Sequence, residues 1–281
     1  MKAMQGAAFL IMSMICALIV QQPVLACSSF LLKGGKRAVF GKNFDFFMKE
    51  GYLMVNKRGS AKTALLGPAQ NPAKWIAKYG SITFNQVSKE YPFGGMNEAG
   101  LIVESMALEG ANYPAPDVRT AVSELQWIQY QLDNCAAVGE VVETDERIRI
   151  AQGSVPVHFF VADRNGNAAA QGDGTVWSIV YDMKRQRILF RTVGKRDVRI
   201  VEMNAFHFDC GAPSLVLDLE TPASGDVSKR FEAYSTELNR NLVRKTFARY
   251  REIKFMDLPE PAQEYLVRYP GKLECHPGGA E

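Results

Sequence analysis

The sequence predicts an α+β fold, because short strands and two long helices alternate in the order strands, helix, strands, helix. The strand segments are short runs rich in β-branched and aromatic residues, and glycine, proline or asparagine turns bound them. The helical segments repeat apolar residues every three or four positions, as one buried helix face requires. Layered antiparallel sheets covered by helices accommodate this order.

The predicted strands fall into two groups, one on each side of the first long helix. The first group covers residues 28–32, 37–40, 52–55, 81–86 and 101–106. The second group covers residues 155–162, 168–171, 176–181, 188–193 and 198–201. Within the second group, Asn165-Gly166 has the composition of a hairpin turn.

The first long helix is predicted to follow a loop marked by Pro114 and Pro116, with Asp117 or Thr120 as its N-cap. A shorter helix is predicted around residues 137–144. The apolar face of the first long helix is formed by Val122, Leu125, Ile128 and Leu132.

The second long helix is predicted to begin after Asp226 as its N-cap and to run to about residue 253. Beyond it, prolines make the end of the chain irregular. The apolar face of this helix is formed by Phe231, Tyr234, Leu238 and Leu242.

Residues 1–26 have the pattern of a secretory signal peptide. Lys2 supplies the positive start, residues 7–20 are almost wholly apolar, and Ala26 precedes the predicted cut. Cleavage by signal peptidase after Ala26 leaves residues 27–281 as a single domain that begins with Cys27. The expected location is therefore the periplasm or the outside of the cell.

A cysteine at the start of a mature chain carries a thiol and a free α-amine on one residue. The pKa of such an amine is about 7.7–8.0, so part of it is neutral near pH 7 and accepts a proton. Cys27 can therefore be a nucleophile that its own amine activates, directly or through a water, without a histidine.

Two other interpretations of Cys27 stay open from this stretch alone. Val24-Leu25-Ala26-Cys27 partly resembles a lipoprotein signal, although leucine and a small residue usually stand where Val24 and Leu25 are found. Alternatively, the cut falls elsewhere and Cys27 is an ordinary buried or bridged cysteine.

The composition is that of an ordinary globular protein, with 47% hydrophobic and 22% charged residues. The formal net charge is +3, and loss of Lys2 with the signal lowers it by one. So small a charge favours neither a nucleic-acid partner nor an anionic membrane surface. After the signal, no apolar run is long enough to span a bilayer.

Besides Cys27, the mature chain contains Cys135, Cys210 and Cys275. If Cys27 is a nucleophile, these three allow at most one disulfide and one free thiol, and the sequence does not say which. Neither Cys-x-x-Cys nor His-x-x-x-His occurs, so neither a metal site nor a cofactor is expected.

Several short motifs occur in a characteristic order. They are Cys27-Ser28-Ser29-Phe30, Gly41-Lys42-Asn43-Phe44-Asp45, Gly95-Met96-Asn97-Glu98-Ala99-Gly100-Leu101, Ala162-Asp163-Arg164-Asn165-Gly166, the strand end at Asn204, and Ser228-Lys229-Arg230-Phe231. With these motifs, the chain resembles the choloylglycine hydrolase and penicillin V acylase family of linear amide C–N hydrolases, which are N-terminal nucleophile hydrolases. The Gly-Met-Asn motif is the most specific of them.

The resemblance implies a four-layer αββα sandwich and an amidase site. Cys27 is then the nucleophile that forms a thioester, and Asp45 orients its ammonium. Asn97 and Asn204 are expected to donate to the oxyanion, where one donor is worth about 3 kcal/mol. Arg230 is expected to lower the thiol pKa or to fix nearby polar groups.

Each of these residues also has a purely structural interpretation. Asp45 suits a turn, and Asn97 lies beside a glycine-rich turn where asparagine is common. Asn204 suits a strand end, and Arg230 at a helix start suits a solvated surface position. Their joint occurrence with Cys27 favours the catalytic interpretation.

Lys42 replaces the arginine that is usual in the family, so it keeps the charge but loses the bidentate fork. The resemblance makes Lys42 a substrate-binding residue or a cation that favours the Cys27 thiolate. Asn204 and Arg230 also lie closer in sequence than in bile-salt hydrolases, where a long hairpin between them forms tetramers. A homo-oligomer is therefore left open.

The family's substrates are small N-acyl amides, among them penicillin V, conjugated bile salts and N-acyl homoserine lactones, and the sequence does not choose among them. The aromatic residues Phe44, Phe46, Phe47 and Tyr52 suit either an apolar acyl pocket or the core. The alternative function is an exported lipoprotein or binding protein with an acylated Cys27 and no catalysis. A cysteine peptidase is disfavoured, since no histidine lies in a suitable motif.

Overall fold

Two sheets packed face to face carry the core of the protein. The computed structural model describes residues 27–34, 37–46, 48–108, 111–151, 156–166, 168–169, 177–192 and 194–276. The predicted signal peptide, Phe47 and parts of the predicted strands at 155, 170–171, 176 and 193 lie outside the described residues.

The strands are, in chain order, β1 (Ser28–Gly34), β2 (Arg37–Phe44), β3 (Tyr52–Asn56), β4 (Ser60–Thr63), β5 (Lys74–Ile76), β6 (Ser81–Ser88), β7 (Tyr91–Asn97), β8 (Ile102–Ala107), β9 (Thr120–Ser123), β10 (Ile148–Ala151), β11 (Val157–Ala162), β12 (Ala168–Ala169), β13 (Trp177–Asp182), β14 (Arg187–Thr192), β15 (Arg199–Glu202), β16 (Leu215–Asp218), β17 (Gly225–Asp226), β18 (Glu232–Ala233) and β19 (Glu274–Cys275). The helices are α1 (Glu124–Asn134), α2 (Val138–Glu143), α3 (Thr236–Glu252) and α4 (Glu260–Arg268).

Among the described residues, the two main sheets have six and eight strands. The six-stranded sheet has the order β1-β2-β13-β14-β15-β17, and the eight-stranded sheet has the order β12-β11-β8-β7-β6-β3-β16-β18. Pairing in both is antiparallel except between β15 and β17. Two small sheets, β19-β4-β5 and the parallel pair β10-β9, lie outside them.

Aromatic side chains fill the space between the two main sheets. The Tyr181 ring contacts the Phe40 ring at 5.8 Å and the Phe84 ring at 6.5 Å between centroids. Phe84 also meets Phe190 edge-on at 5.9 Å. Phe84 comes from the eight-stranded sheet and the others from the six-stranded sheet, so these edge-to-face pairs join the two layers.

Helices α1 and α3 cover the outer face of the eight-stranded sheet. Asn97 of β7, whose neighbour Met96 faces inward, bonds to the end of α1, and Leu242 of α3 packs against Met54 of β3. On the other sheet, Phe30 and Leu32 point outward and are 43% and 62% exposed. Among the described helices, none combines the length and the apolar composition that a membrane-spanning helix needs.

The first long helix begins later than predicted. Residues 120–123 form β9, which pairs with β10, so neither Asp117 nor Thr120 is the N-cap. The cap is Ser123, whose side chain accepts from the Gln126 N–H at 3.4 Å. The helix starts later because residues 120–123 pair with β10, a strand distant in the sequence, and local propensity does not reveal that pairing.

The second long helix also begins later, at Thr236 rather than after Asp226. Asp226 lies in β17, and its carboxylate accepts from the backbone N–H and the hydroxyl of Ser228. Phe231 packs on the Phe206 ring at 4.7 Å between centroids instead of continuing the helix face. The true cap is Ser235, which accepts from the Leu238 N–H.

The cysteines divide as the sequence allowed, into one bridge and one free thiol besides Cys27. Cys210 and Cys275 form a disulfide with Cα atoms 5.5 Å apart. Cys135 is free and buried, and its thiol donates to Gln131 Oε1 at 3.3 Å. Burial raises the pKa of Cys135 to about 12, so this thiol is inert near neutral pH.

Candidate active site

Cys27 lies at the start of β1, at one end of the space between the two main sheets. Ser28 pairs with Asn43, so Cys27 stands opposite Phe44 of β2. Cys27 is 3% exposed, and its thiol donates to the backbone carbonyl of Asp45 at 3.9 Å. The structure therefore brings together two of the predicted site residues, Cys27 and Asp45.

Local packing holds β1 against β2. Gly41 has no side chain, and a Cβ built there would lie 2.2 Å from the Phe30 ring, so the ring lies flat across the strand. The pairing places the next residues, Phe44 and Asp45, beside Cys27. The glycine of the Gly-Lys-Asn-Phe-Asp motif thus has a packing role.

Lys42 makes all its contacts with protein oxygens. Its ammonium donates to Glu104 Oε2 at 2.6 Å, to the Ser105 carbonyl at 2.6 Å and to the Phe93 carbonyl at 3.4 Å. An ammonium has three donors, and the side chain is 1% exposed. This placement argues against the predicted substrate-binding role for Lys42, because no donor remains for a ligand.

The partner of Lys42 is a carboxylate buried between the sheets. Tyr181 donates its hydroxyl to Glu104 Oε1, so Glu104 of β8 joins two strands of the opposite sheet. Burial raises the pKa of Glu104, while the charge and hydrogen bond of Lys42 and the Tyr181 hydroxyl oppose that rise. Burial and the Glu104 charge hold the pKa of Tyr181 well above its usual value.

Gly94 on β7 faces the Glu104 carboxylate at close range. A Cβ at Gly94 would lie 1.7 Å from Glu104 Oε2, so the site leaves no room for a side chain. We expect Gly94→Ala to lower the free energy of unfolding by about 2–3 kcal/mol, since the ion pair must shift. Gly67→Ala is the matched control, because nothing lies within 4 Å of its Cβ position. Equal urea midpoints for the two variants would contradict this interpretation.

The side chain of Asn97 makes hydrogen bonds that hold the turn of its motif in place. Its amide nitrogen donates to the Leu132 carbonyl at 2.9 Å and to the Cys135 carbonyl at 2.7 Å. Its oxygen accepts from the Leu101 N–H at 2.9 Å. Because both amide hydrogens are used, the predicted oxyanion role for Asn97 is not supported, and the residue instead fastens the end of α1.

The same turn explains the glycine that ends the Gly-Met-Asn-Glu-Ala-Gly motif. Gly100 has φ +88° and its N–H bonds to the Asn97 carbonyl at 2.9 Å. Only glycine adopts this conformation without strain. The motif thus encodes a tight β7–β8 connection docked on a helix end.

Asn204 and Arg230 are exposed in two short 3₁₀ turns, Met203–Ala205 and Ser228–Arg230. Both turns follow strands at the β15 side of the six-stranded sheet. β1, which begins directly after Cys27, and β15 are separated by four inter-strand steps, about 19 Å. The structure therefore does not bring either residue to Cys27.

The strand register also places Asn204 and Arg230 at the end of the six-stranded sheet that lies opposite to the Cys27 end. The end near Cys27 is marked by Trp177, which pairs with both Phe44 and Thr192. The other end is marked by Glu202, which pairs with Arg187. Asn204 and Arg230 therefore lie away from Cys27 in this structure, and their catalytic roles stay predictions from the family resemblance.

Sequence reasoning missed Glu104, Tyr181 and Thr192. Thr192 is buried at the Cys27 end of β14 and donates its hydroxyl to Glu220 Oε1 at 2.9 Å. The sequence did contain a signal for Glu104. Glu104 alternates along β8 with Ile102 and Met106, so its side chain lies on the same inward face as theirs. A charged residue at an inward strand position requires a buried partner.

Comparison with known proteins identifies the family. Residues 27–171 match the model of the linear amide C–N hydrolases, choloylglycine hydrolase family, which is more than half of the 281-residue chain. Nothing among the curated proteins matches the chain.

Solved structures share its fold. Penicillin V acylase from Agrobacterium tumefaciens is 18% identical with a TM-score of 0.65, and the match covers 75% of this chain and 98% of that one. A variant of conjugated bile acid hydrolase from Clostridium perfringens is 12% identical with a TM-score of 0.55, over 74% of this chain and 97% of that one. These matches confirm the predicted α+β fold of the N-terminal nucleophile hydrolase type, and the family match shows that the chain belongs to the choloylglycine hydrolase family of linear amide C–N hydrolases.

Proposed function

We propose that this hydrolase is an exported amidase that cleaves the linear C–N amide bond of a small N-acyl molecule through Cys27. The observation that carries the proposal is that the family match begins at residue 27, the residue that the predicted signal cleavage would expose. The contact between the Cys27 thiol and the Asp45 carbonyl supports it.

The proposed chemistry starts with the free α-amine of Cys27. The amine accepts the thiol proton, and the sulfur attacks the amide carbonyl. The tetrahedral intermediate expels the amine product with a proton, which leaves a thioester on Cys27. Water then hydrolyses the thioester, and Asp45 orients the ammonium during both steps.

Export is the second part of the proposal. Residues 1–26 serve as the signal peptide, signal peptidase exposes Cys27, and residues 27–281 act as one domain in the periplasm or outside the cell. The Cys210–Cys275 disulfide supports this location, because such bridges persist in oxidising compartments.

The alternative is an exported lipoprotein or binding protein with the same fold and an acylated Cys27. The distance of Asn204 and Arg230 from Cys27 favours it, since two expected catalytic groups are missing from the nucleophile's surroundings. In that case the amine is blocked and no thioester forms.

The mass of the exported protein separates the two functions. We expect an unmodified chain that begins at Cys27, with a free amine and the mass of residues 27–281 less two hydrogens for the disulfide. A mass increased by a diacylglyceryl group, with a blocked amine, would establish the lipoprotein instead. A chain that begins at any other residue would contradict both.

A further inference from the structure

The edge strands of the two main sheets differ in length. Within the described part of the chain, the edge strands β12, β17 and β18 have two residues each, whereas the remaining edge strand, β1, has seven. The free side of an edge strand is a template on which another chain can pair, and a very short edge strand limits that pairing. β1 is therefore the edge of the sandwich that best accommodates a further strand.

The composition of β1 also leaves this edge unprotected. Residues 28–32 contain neither a charged residue nor a proline, and Lys33 is the one charged residue of the strand. Natural edge strands commonly contain lysine, proline or a bulge, because each of these opposes pairing with another chain. β1 pairs with β2 in an unbroken register over all seven residues, so no bulge turns it away from a partner.

Two apolar side chains project from β1 on the outer face of the six-stranded sheet. Phe30 is 43% exposed and Leu32 is 62% exposed. Leu31, between them, points inward and packs against the core. The strand register continues the outer row of Phe30 across the sheet to Val180 and Leu189, which are half-buried. An apolar stripe thus reaches the sheet edge at β1.

The order of these side chains suits antiparallel pairing with a second copy of the same strand. A two-fold axis perpendicular to the sheet, between the two copies of Leu31, places Phe30 of each copy directly opposite Leu32 of the other. Both exposed side chains are then covered by cross-strand pairs. An axis at Phe30 would leave Leu32 opposite Ser28. An axis at Leu32 would leave Phe30 opposite Gly34, which has no side chain.

We propose that β1 is the interface of a homodimer, in which two copies pair antiparallel about Leu31 and join their six-stranded sheets into one continuous sheet. The formal net charge of the chain is only +3, so repulsion between two copies is small. A single strand pair buries less area than a standard interface, so we expect the dimer to dissociate on dilution. This inference goes beyond the proposed function and does not depend on amide hydrolysis.

Analytical ultracentrifugation of the processed protein tests the interface. We expect the measured mass to rise with concentration from one chain to two. Leu32→Lys should raise the dissociation constant at least about tenfold, because lysine on an edge strand opposes pairing. Leu32 is exposed, so this variant should keep the fold, which circular dichroism verifies.

Val142→Lys is the matched control. Val142 lies on α2 and is 68% exposed, so the same substitution there should leave the dissociation constant unchanged. A parent protein that stays monomeric up to about 0.1 mM would overturn the proposal. So would a dimer that Leu32→Lys and Val142→Lys weaken equally.

Mixing two variants tests the register. Phe30→Glu and Leu32→Lys should each dimerise weakly alone, whereas their mixture should form a heterodimer with an affinity near that of the parent. In the mixture, the new carboxylate at position 30 lies opposite the new ammonium at position 32 of the other copy, and opposite charges in such a pair are stabilising. Phe30→Glu mixed with Val142→Lys should show no such gain. A mixture of Phe30→Glu and Leu32→Lys that associates no better than either variant alone would overturn pairing about Leu31.

Discussion

Replacement of Cys27 by serine is expected to lower amide hydrolysis by roughly three orders of magnitude, about 4 kcal/mol of barrier, while export and fold persist. A serine hydroxyl ionises far less than a thiol near neutral pH, and its alkoxide is therefore scarce. Steady-state kinetics on an N-acyl amide, with the processed N-terminus verified by mass, measure the effect.

Cys135→Ser is the matched control. Cys135 is also buried and free, but burial raises its pKa to about 12 and no mechanism step uses it. We expect this variant to retain turnover. Full activity in correctly processed Cys27→Ser protein would refute Cys27 as the nucleophile.

Loss of the Lys42 charge is expected to have the largest effect on stability. Lys42→Met leaves the Glu104 carboxylate buried between the sheets without its cation. Removal of one partner from a buried ion pair typically costs about 3–5 kcal/mol. Urea denaturation of the variant and the parent protein measures the difference in the free energy of unfolding.

Two further variants show whether the buried pair causes that loss. Lys42→Met combined with Glu104→Gln removes both charges and should recover part of the stability. Arg185→Met breaks the exposed pair with Asp182 and should cost about 1 kcal/mol or less. If Lys42→Met costs no more than Arg185→Met, the pair does not hold the two sheets together.

Features set by neighbouring residues could be predicted from the sequence. The strand that begins after Cys27 and the returning strand through Gly41 both form as expected. The glycines of the Gly-Met-Asn motif predict a tight turn, and the structure has that turn between β7 and β8. Local propensity and turn chemistry determine these elements, so a single sequence carries the signal.

Features set by distant pairing could not be predicted. Lys42 and Glu104 are 62 positions apart, and only the packing of the two sheets makes them partners. Asn204 follows a strand as expected, but the sheet order inserts β2, β13 and β14 between β15 and β1. A short motif encodes the end of a strand and not its place in the sheet.

The structure shows structural contacts for two of the predicted site residues. Asn97 ties a helix end to a turn, and Lys42 joins two sheets through Glu104. Cys27 and Asp45 are the predicted residues that stand together at one end of the sandwich. The proposed chemistry accordingly depends on the thiol and the amine of Cys27 itself.

The most direct test is to trap the acyl intermediate. Processed protein is mixed with an excess of a slowly hydrolysed N-acyl amide, quenched in acid and digested. The mass of the N-terminal peptide is then measured by mass spectrometry. We predict that the acyl group is found on Cys27 as an adduct that hydroxylamine removes, and that Cys27→Ser protein lacks it. Continued turnover with the acyl group on another residue would contradict nucleophilic catalysis by Cys27.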